Sequence, residues 1–241
     1  MQRADEQIVR WHPVADAAAL QQAAYRWILD ASVRAIAAHG RFVIVLAGGN
    51  TPRGVYAMLR DGSTDGMPAD WSRWEIWFGD ERCAPSDDPE RNSMMARAAW
   101  LDHVPIPPGN MHVIPAERGA DAAALAYADA LHGVGDFDLV LLGLGEDGHT
   151  ASLFPGHDPG AAADAPDALA VFEAPKPPPQ RVSMSAWRLA RTREVLFIVE
   201  GESKHDAVTR WRAREDIPAR TIRPDAGVDV LVVASLLLRT A

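Results

Sequence analysis

Residues 137–152 read Phe137-Asp138-Leu139-Val140-Leu141-Leu142-Gly143-Leu144-Gly145-Glu146-Asp147-Gly148-His149-Thr150-Ala151-Ser152, an apolar run that ends in glycines and polar side chains. The apolar run is typical of a strand that is buried on both faces of a parallel sheet. In open α/β sheets, ligands bind at the carboxyl ends of the strands. The stretch therefore predicts an α/β fold with a functional site assembled around His149.

Predicted strands and helices alternate on both sides of this stretch. Strands are predicted at residues 41–47, 74–79, 111–114, 181–185, 194–199 and 228–233, helices at residues 15–39, 53–59, 92–101, 122–131 and 205–214, and a polar link at residues 61–70. The alternation predicts a three-layer α/β sandwich, with a mostly parallel sheet and helices on both faces. Residues 155–180 are rich in Ala, Pro, Asp and Gly and are interpreted as an irregular loop, because strand signals resume beyond them. Residues 1–241 are therefore predicted to form a single domain.

Composition and charge exclude several classes of protein. The 241 residues are 48% hydrophobic, an ordinary globular balance, and their formal net charge of −9 argues against a nucleic-acid-binding protein. No apolar run is long enough to span a bilayer, and residues 1–6 lead into no signal-peptide core. The single Cys83 excludes an internal disulfide and a Cys-based zinc cluster. We expect a cytoplasmic protein without nucleic-acid or membrane partners, in which a few basic side chains can still bind an anionic small molecule.

Polar residues follow the predicted strands that end near residues 47, 79, 144 and 199, and parallel strands bring such residues to one edge of the sheet. The first of these polar segments is Gly48-Gly49-Asn50-Thr51-Pro52. Its glycines let the backbone approach a ligand, and the helix that follows offers free N–H groups, so the segment is either an anion-binding loop or a tight turn. Pro52 suits the first helical position, with Asn50 or Thr51 as the cap.

Three other positions at this edge carry charge. The triplet Asp80-Glu81-Arg82 could hold a metal, act in acid–base chemistry or place Arg82 against an anion, and the alternative is a solvated charge cluster. Lys204 stands at a predicted helix start, where it suits a phosphate contact or faces solvent. Arg181, which enters a predicted strand after a proline run, could reach over the same edge.

His149 is the candidate for acid–base chemistry. It can accept a proton near neutral pH, and Asp147 could orient its ring. The alternative is a histidine at a helix start, with Thr150 or Ser152 as caps. A Cys–His hydrolase would need Cys83 beside His149, whereas a buried structural cysteine is commoner, and Ser152 lies in no Gly-x-Ser-x-Gly motif. The other histidines lack metal-ligand spacing, so no metal site is predicted.

Four segments stand in the order found in 6-phosphogluconolactonases. They are Gly48-Gly49-Asn50-Thr51-Pro52, Gly79-Asp80-Glu81-Arg82 with Asn92-Ser93, the stretch from Gly143 to Pro155, and Gly201-Glu202-Ser203-Lys204. Over residues 42–233 the sequence resembles that family, most specifically in Asp-Gly-His-Thr-Ala-Ser-Leu-Phe-Pro. The resemblance implies the fold of sugar-phosphate isomerases and hydrolysis of 6-phospho-glucono-1,5-lactone to 6-phosphogluconate in the pentose phosphate pathway. It also implies a phosphosugar lactone as the partner, no cofactor, and a monomer with a dimer as the alternative.

The resemblance also implies roles for individual residues. His149 takes a proton from water, Asp147 orients or polarises it, and Arg82 stabilises the oxyanion or clamps the substrate. The phosphate is held by Gly48, Gly49, Asn50, Thr51 and Lys204, with help from Arg181. Asn50 replaces the serine that is commoner in the family, which leaves that side-chain contact open.

Two alternative functions remain. Glucosamine-6-phosphate deaminases resemble the chain in the glycine loop and in Asp-Gly-His. They carry a segment like Asn-Met-Asp-Glu-Tyr in place of Phe78-Gly79-Asp80-Glu81-Arg82, and they continue after the histidine with Ile-Ala-Phe-Asn-Glu. The other alternative is a sugar-phosphate-binding regulator without catalysis, against which the presence of both Asp147 and His149 argues.

Overall fold

The computed structural model describes residues 6–62 and 69–238. Its strands are β1 (Val9–Val14), β2 (Phe42–Leu46), β3 (Trp74–Phe78), β4 (Asp80–Arg82), β5 (Met111–His112), β6 (Phe137–Leu142), β7 (Ala168–Val171), β8 (Arg181–Met184), β9 (Thr192–Val199) and β10 (Val228–Val233). Its α-helices are α1 (Ala17–His39), α2 (Asn50–Asp61), α3 (Asn92–Ala99), α4 (Ala120–Leu131), α5 (Ala186–Ala190) and α6 (His205–Arg212). Residues 63–68, which make up most of the link predicted at residues 61–70, lie outside the described residues. So do residues 1–5, which belong to the N-terminal segment that was compared with a signal peptide.

Seven of the strands form one parallel sheet in the order β1-β10-β9-β6-β2-β3-β5. Every residue of β2 and of β6 is buried, as expected of central strands that are covered on both faces. Helix α1 begins where the Asp16 side chain accepts the N–H of Ala19 at 2.8 Å, and it ends at Gly40, whose φ of 85° suits glycine. The predicted α/β fold class is confirmed.

A second sheet of three antiparallel strands, in the order β4-β8-β7, adjoins the carboxyl end of the main sheet. Strand β7 (Ala168–Val171) lies within residues 155–180, so the prediction of an irregular loop throughout that segment is wrong. The four residues of β7 are too few to show a strand pattern in the sequence. They form a strand because they pair with β8 and pack against α4. In the same sheet, Arg82 lies directly opposite Arg181.

The sequence patterns also do not predict strand β1, the short strand β4 or the short helix α5. Strand β1 shows why. It pairs in parallel with β10 at the edge of the main sheet, and its polar residues interrupt any apolar run. Edge strands are half-solvated, so their sequences lack the continuous apolar signal of central strands. Within residues 6–62 and 69–238, no helix is long and apolar enough to cross a bilayer.

Candidate active site

A cleft opens at the carboxyl ends of β2, β3, β6 and β9, where the polar segments were predicted to meet. It consists of two adjoining cavities of about 220 and 240 Å³. Arg82, His149 and Arg181 line the first cavity, which we call the histidine cavity. The second, which we call the loop cavity, is lined by the segment from Gly48 to Pro52. Lys204 lines both.

His149 lines the histidine cavity, and Asp147 lies behind it. The His149 Nδ1 atom is 2.5 Å from Oδ1 of Asp147, and the same oxygen accepts the backbone N–H of His149 at 3.1 Å. Burial acts to raise the pKa of Asp147, but these hydrogen bonds and the charge of His149 outweigh it, so the pKa lies below its ordinary value. An ionised carboxylate can only accept hydrogen bonds, so Nδ1 is the donor of this pair, and in the neutral form of His149 the lone pair lies on Nε2.

The loop between Gly143 and His149 leaves no room for side chains at two glycines. A Cβ atom on Gly145 would lie 2.0 Å from Nδ1 of His149, and one on Gly148 would lie 2.7 Å from Ile217. The loop is closed by the N–H of Gly145, which donates to the carbonyl of His149 at 2.7 Å. No helix begins at His149, so the alternative of a histidine at a helix start is wrong.

The glycine segment after β2 makes the wall of the loop cavity. Helix α2 begins at Asn50 with Gly49 as its cap, at φ 105°, so Pro52 is the third helical residue rather than the first. Neither Asn50 nor Thr51 caps the helix through its side chain, and that expectation is wrong. The uncapped helix start faces the cavity, which is the arrangement that binds phosphate in many proteins.

The triplet Asp80-Glu81-Arg82 divides into three different environments. Glu81 is fully buried and caps α3 from outside the helix: Oε1 accepts the N–H of Asn92 at 2.7 Å, and Oε2 accepts that of Ser93 at 2.8 Å. Asp80 accepts the Ser152 hydroxyl at 2.6 Å and the Asn92 amide at 3.0 Å. Both carboxylates accept hydrogen bonds from protein donors. The triplet is therefore neither a metal site nor a solvated charge cluster.

No group of three or more His, Cys, Asp or Glu side chains in the described ranges is arranged to hold a metal ion. The donor set of the cleft is instead rich in cations, which would oppose a bound metal electrostatically. The residues present therefore suit an anionic ligand.

Arg82 and Arg181 face the histidine cavity side by side from β4 and β8. Arg181 is buried and is held by carbonyls of the proline run, with Nη2 at 2.9 Å from the oxygen of Lys176. Burial lowers the pKa of Arg181, while the charge of Asp80 opposes that shift. Nη1 of Arg82 donates to the carbonyl of Glu90, but its buried Nε has no acceptor among the residues that the structure describes. Two guanidinium groups thus line the cavity of His149, to which Gly48 and Gly49 of the glycine segment also contribute.

The Phe154 ring fills the space between His149 and Arg181. Its centroid is 4.8 Å from that of the His149 ring, and the guanidinium carbon of Arg181 lies 5.6 Å from it. The ring is buried and limits how far either side chain can turn. Phe154 therefore positions both groups.

Lys204 is half-buried at the junction of the two cavities. Burial lowers its pKa; the charges of Glu146 and Asp147 act against that shift and the charge of Lys176 acts with it. Lys176 also lines the histidine cavity, but its side chain is 65% exposed and only 3.9 Å from a Glu146 oxygen. The half-buried ammonium of Lys204 is a stronger partner for an anion than that of Lys176, because solvent screens it less.

The two nucleophile alternatives do not fit the geometry. Burial is the main cause that raises the pKa of the Cys83 thiol, so a thiolate is disfavoured, and Cys83 does not line the cleft. Ser152 is buried and donates its hydroxyl to Asp80. Neither residue is an available nucleophile.

The residues of the cleft that were not predicted as site residues include Asn92, Phe154 and Lys176. A Cβ on Gly48 would lie 1.9 Å from Oδ1 of Asn92, so the glycine and the asparagine fit together. Asn92 and Phe154 do stand in the segments that resemble the family, which was the available signal. Lys176 lies in the segment interpreted as an irregular loop, which carried no signal for it.

Comparison with known proteins places these features in a family. Residues 15–231 match the family described as glucosamine-6-phosphate isomerases/6-phosphogluconolactonase. The 6-phosphogluconolactonase of Mycobacterium tuberculosis is 41% identical over 205 residues, 80% of this chain and 81% of that protein. The Mycobacterium leprae 6-phosphogluconolactonase is 41% identical over 186 residues, 72% of this chain and 74% of that protein. The solved structure of 6-phosphogluconolactonase from Trypanosoma brucei has a TM-score of 0.82 at 27% identity, covering 95% of this chain and 98% of that chain.

Proposed function

The chain belongs to the family of glucosamine-6-phosphate isomerases and 6-phosphogluconolactonases, and we propose that His149 is the general base of its reaction. The resemblance inferred from the sequence is confirmed, and the activity is that of a 6-phosphogluconolactonase, a lactone hydrolase. The proposed substrate is 6-phospho-glucono-1,5-lactone, and the product is 6-phosphogluconate. The observation that supports the base is the pair of His149 and Asp147, which leaves Nε2 available in the cleft.

The proposed reaction begins when Nε2 of His149 takes a proton from water and the water oxygen bonds to the lactone carbonyl carbon. The carbonyl electron pair moves onto its oxygen, which becomes an oxyanion. When the intermediate collapses, the bond from that carbon to the ring oxygen breaks, and the ring oxygen receives the proton from His149. The lactone also opens without an enzyme, so a general base worth about 10²–10⁴-fold together with positioning is sufficient.

Arg82 and Arg181 are proposed to stabilise the charge that develops on the carbonyl oxygen. Both guanidinium groups line the cavity that holds His149, and they lie opposite each other in the register of β4 and β8. Within residues 6–62 and 69–238 the buried Nε of Arg82 has no acceptor, so a substrate oxygen would satisfy it. Fixed donors in a partly buried cleft stabilise an oxyanion more than mobile water does.

The loop cavity is the proposed phosphate site. Gly48, Gly49, Asn50 and Thr51 all line it, as does Lys204. The helix start offers backbone N–H groups to a phosphate, and the lysine adds a point charge. Because this cavity adjoins the one with His149, a single ligand can occupy both.

The direct test supplies freshly made 6-phosphogluconolactone and, separately, glucosamine 6-phosphate, and follows acid release and ammonia release. We expect acid release above the spontaneous rate from the lactone, undiminished after exhaustive chelation, and no ammonia. Ammonia release would identify a deaminase. Binding of both compounds without turnover would identify a regulator, and loss of activity on chelation would overturn the proposal of a metal-free reaction.

Lys204→Ala is expected to raise KM for the phosphorylated lactone by about 10- to 100-fold, with a smaller change in kcat, because a charge-assisted hydrogen bond to phosphate is lost. Lys176→Ala is the matched control, since that lysine is largely exposed and should change KM less. Steady-state kinetics of both variants measure the two KM values. An unchanged KM in Lys204→Ala would show that Lys204 does not bind the phosphate.

A further inference from the structure

A basic cavity separate from the cleft lies between the start of β1 and the end of α6. None of the residues that line it also lines the cleft. Its volume is about 240 Å³. It is lined by Glu6, Gln7, Val9, Trp11, Trp211, Arg212, Arg214 and Arg220, and we call it the arginine groove. We propose that the arginine groove binds a phosphate-bearing anion, either free or as part of a small molecule.

The charge of the groove is opposite to that of the whole chain. Three guanidinium groups and one carboxylate line it, which leaves two positive charges in a protein of net charge −9. Glu6 neutralises only one of them, since its Oε1 lies 2.5 Å from Nη1 of Arg214. A local excess of this kind raises the local concentration of anions even when the global field repels them.

Two of the guanidinium groups are fixed by the protein but keep free donors. Nη1 of Arg212 donates to the carbonyl of Leu237 at 2.7 Å, and Nη1 of Arg220 donates to that of Glu215 at 3.0 Å. Across the part of the chain that the structure describes, their Nε and Nη2 atoms have no protein acceptor. Guanidinium groups held on one side and open on the other match the oxygens of a phosphate, and little side-chain entropy is lost on binding.

The third arginine occupies a backbone position that favours glycine. Helix α6 ends with the N–H of Arg214 on the carbonyl of Trp211 and the N–H of Glu215 on that of Arg210, which is a Schellman motif. The φ of Arg214 is 64°, in the left-handed region where a Cβ atom is unfavourable. Glycine would relieve that strain but would remove one cation from the groove. A strained backbone at a charged residue is a feature that occurs at ligand-binding sites.

The wall behind the arginines is rigid and aromatic. Gln7 accepts the indole N–H of Trp211 at 2.8 Å and donates to the carbonyl of Ala219, also at 2.8 Å. The Trp11 ring lies edge-on to Trp211, with centroids 5.4 Å apart. The volume of the groove is below the range typical of drug-sized ligands, which favours a compact anion. Trp11 is partly exposed and provides a fluorescence signal for its binding.

Binding is tested by titrating the full chain with inorganic phosphate, pyrophosphate and glycerol 3-phosphate, by calorimetry and tryptophan fluorescence. The titrations use a Lys204→Ala background, so that the proposed phosphate site of the cleft contributes little. We expect saturable binding of at least one probe, weakened at least about tenfold in an Arg212→Gln/Arg220→Gln double variant. Arg223→Gln is the matched control, because this exposed arginine carries the same charge close to the groove without lining it.

Tightest binding of glycerol 3-phosphate would identify a small organic phosphate as the ligand, and tightest binding of the other probes would identify a free anion. No saturable binding of any probe at millimolar concentration, or equal affinity in the double variant, would overturn the proposal. An equal loss in Arg223→Gln would also overturn it, since that result would show non-specific attraction.

Arg214→Gly separates binding from folding. We expect this variant to keep or raise Tm, because the left-handed strain is relieved, and at the same time to lose affinity for the probe. Unchanged affinity with a raised Tm would show that the arginine contributes only strain, which contradicts the proposed site.

Discussion

His149→Ala is expected to lower kcat by about 10²–10⁴-fold, because the variant lacks the group that takes the proton from water. The side chain is partly exposed and contacts the protein chiefly through Asp147 and Phe154. We therefore expect a Tm close to that of the unchanged protein. The rate must be corrected for spontaneous opening of the lactone, which becomes a large share of the signal in a slow variant.

His157→Ala is the matched control, since this exposed histidine lies 6.1 Å from the Phe154 ring but does not line the cleft. Its turnover should be close to normal. Added imidazole should restore part of the activity of His149→Ala, because the space beside Asp147 remains in place. Near-normal turnover of His149→Ala would exclude His149 as the base.

Gly145→Ala is expected to reduce kcat about 100-fold or more, although none of the proposed catalytic residues is replaced. The new Cβ atom would lie 2.0 Å from Nδ1 of His149, so we expect the ring to shift from its position and its contact with Asp147 to be disturbed. A displacement of about 1 Å in a catalytic group can cost about two orders of magnitude in rate. Steady-state kinetics, with a crystal structure of the variant to show the ring, measure both the loss and its cause.

The control for this substitution is Gly109→Ala, where a Cβ atom meets open space. It should leave both kcat and Tm unchanged. Full activity of Gly145→Ala, with the ring displaced in its structure, would contradict the proposal that the contact between His149 and Asp147 supports the reaction.

The central strands and the edge of the sheet at which the cleft lies could be predicted from the sequence, because local composition decides them. Strand β6 is apolar throughout since both its faces are covered, and the segment after it already contains Asp147 and His149. Strand β7 could not be predicted, because its identity depends on β8, which follows at a distance along the chain. Strand β1 lies at the edge of the sheet and is partly exposed to solvent, so its sequence needs no continuous apolar run.

The site residues divide in the same way. Glycine segments and charged residues at strand ends are visible locally, so Gly48, His149 and Lys204 could be named in advance. The role of Glu81 could not, because only the folded chain brings the starting amides of α3 to its carboxylate. A charged triplet at the edge of the sheet therefore contains one residue that belongs to the core.

The cleft is divided into two adjoining cavities with Lys204 at their junction, so under the proposed roles of the loop cavity and His149 the protein would select its ligands by length. A molecule that reaches both ends must carry its anionic group far from the carbon that is attacked. A shorter phosphorylated lactone would satisfy the helix start of α2 and leave its ring away from His149, and an unphosphorylated one would have nothing to anchor it. Such selection by length would require no contact that distinguishes one sugar hydroxyl from another, and the spacing of β2, β6 and β9 in the sheet would set that length.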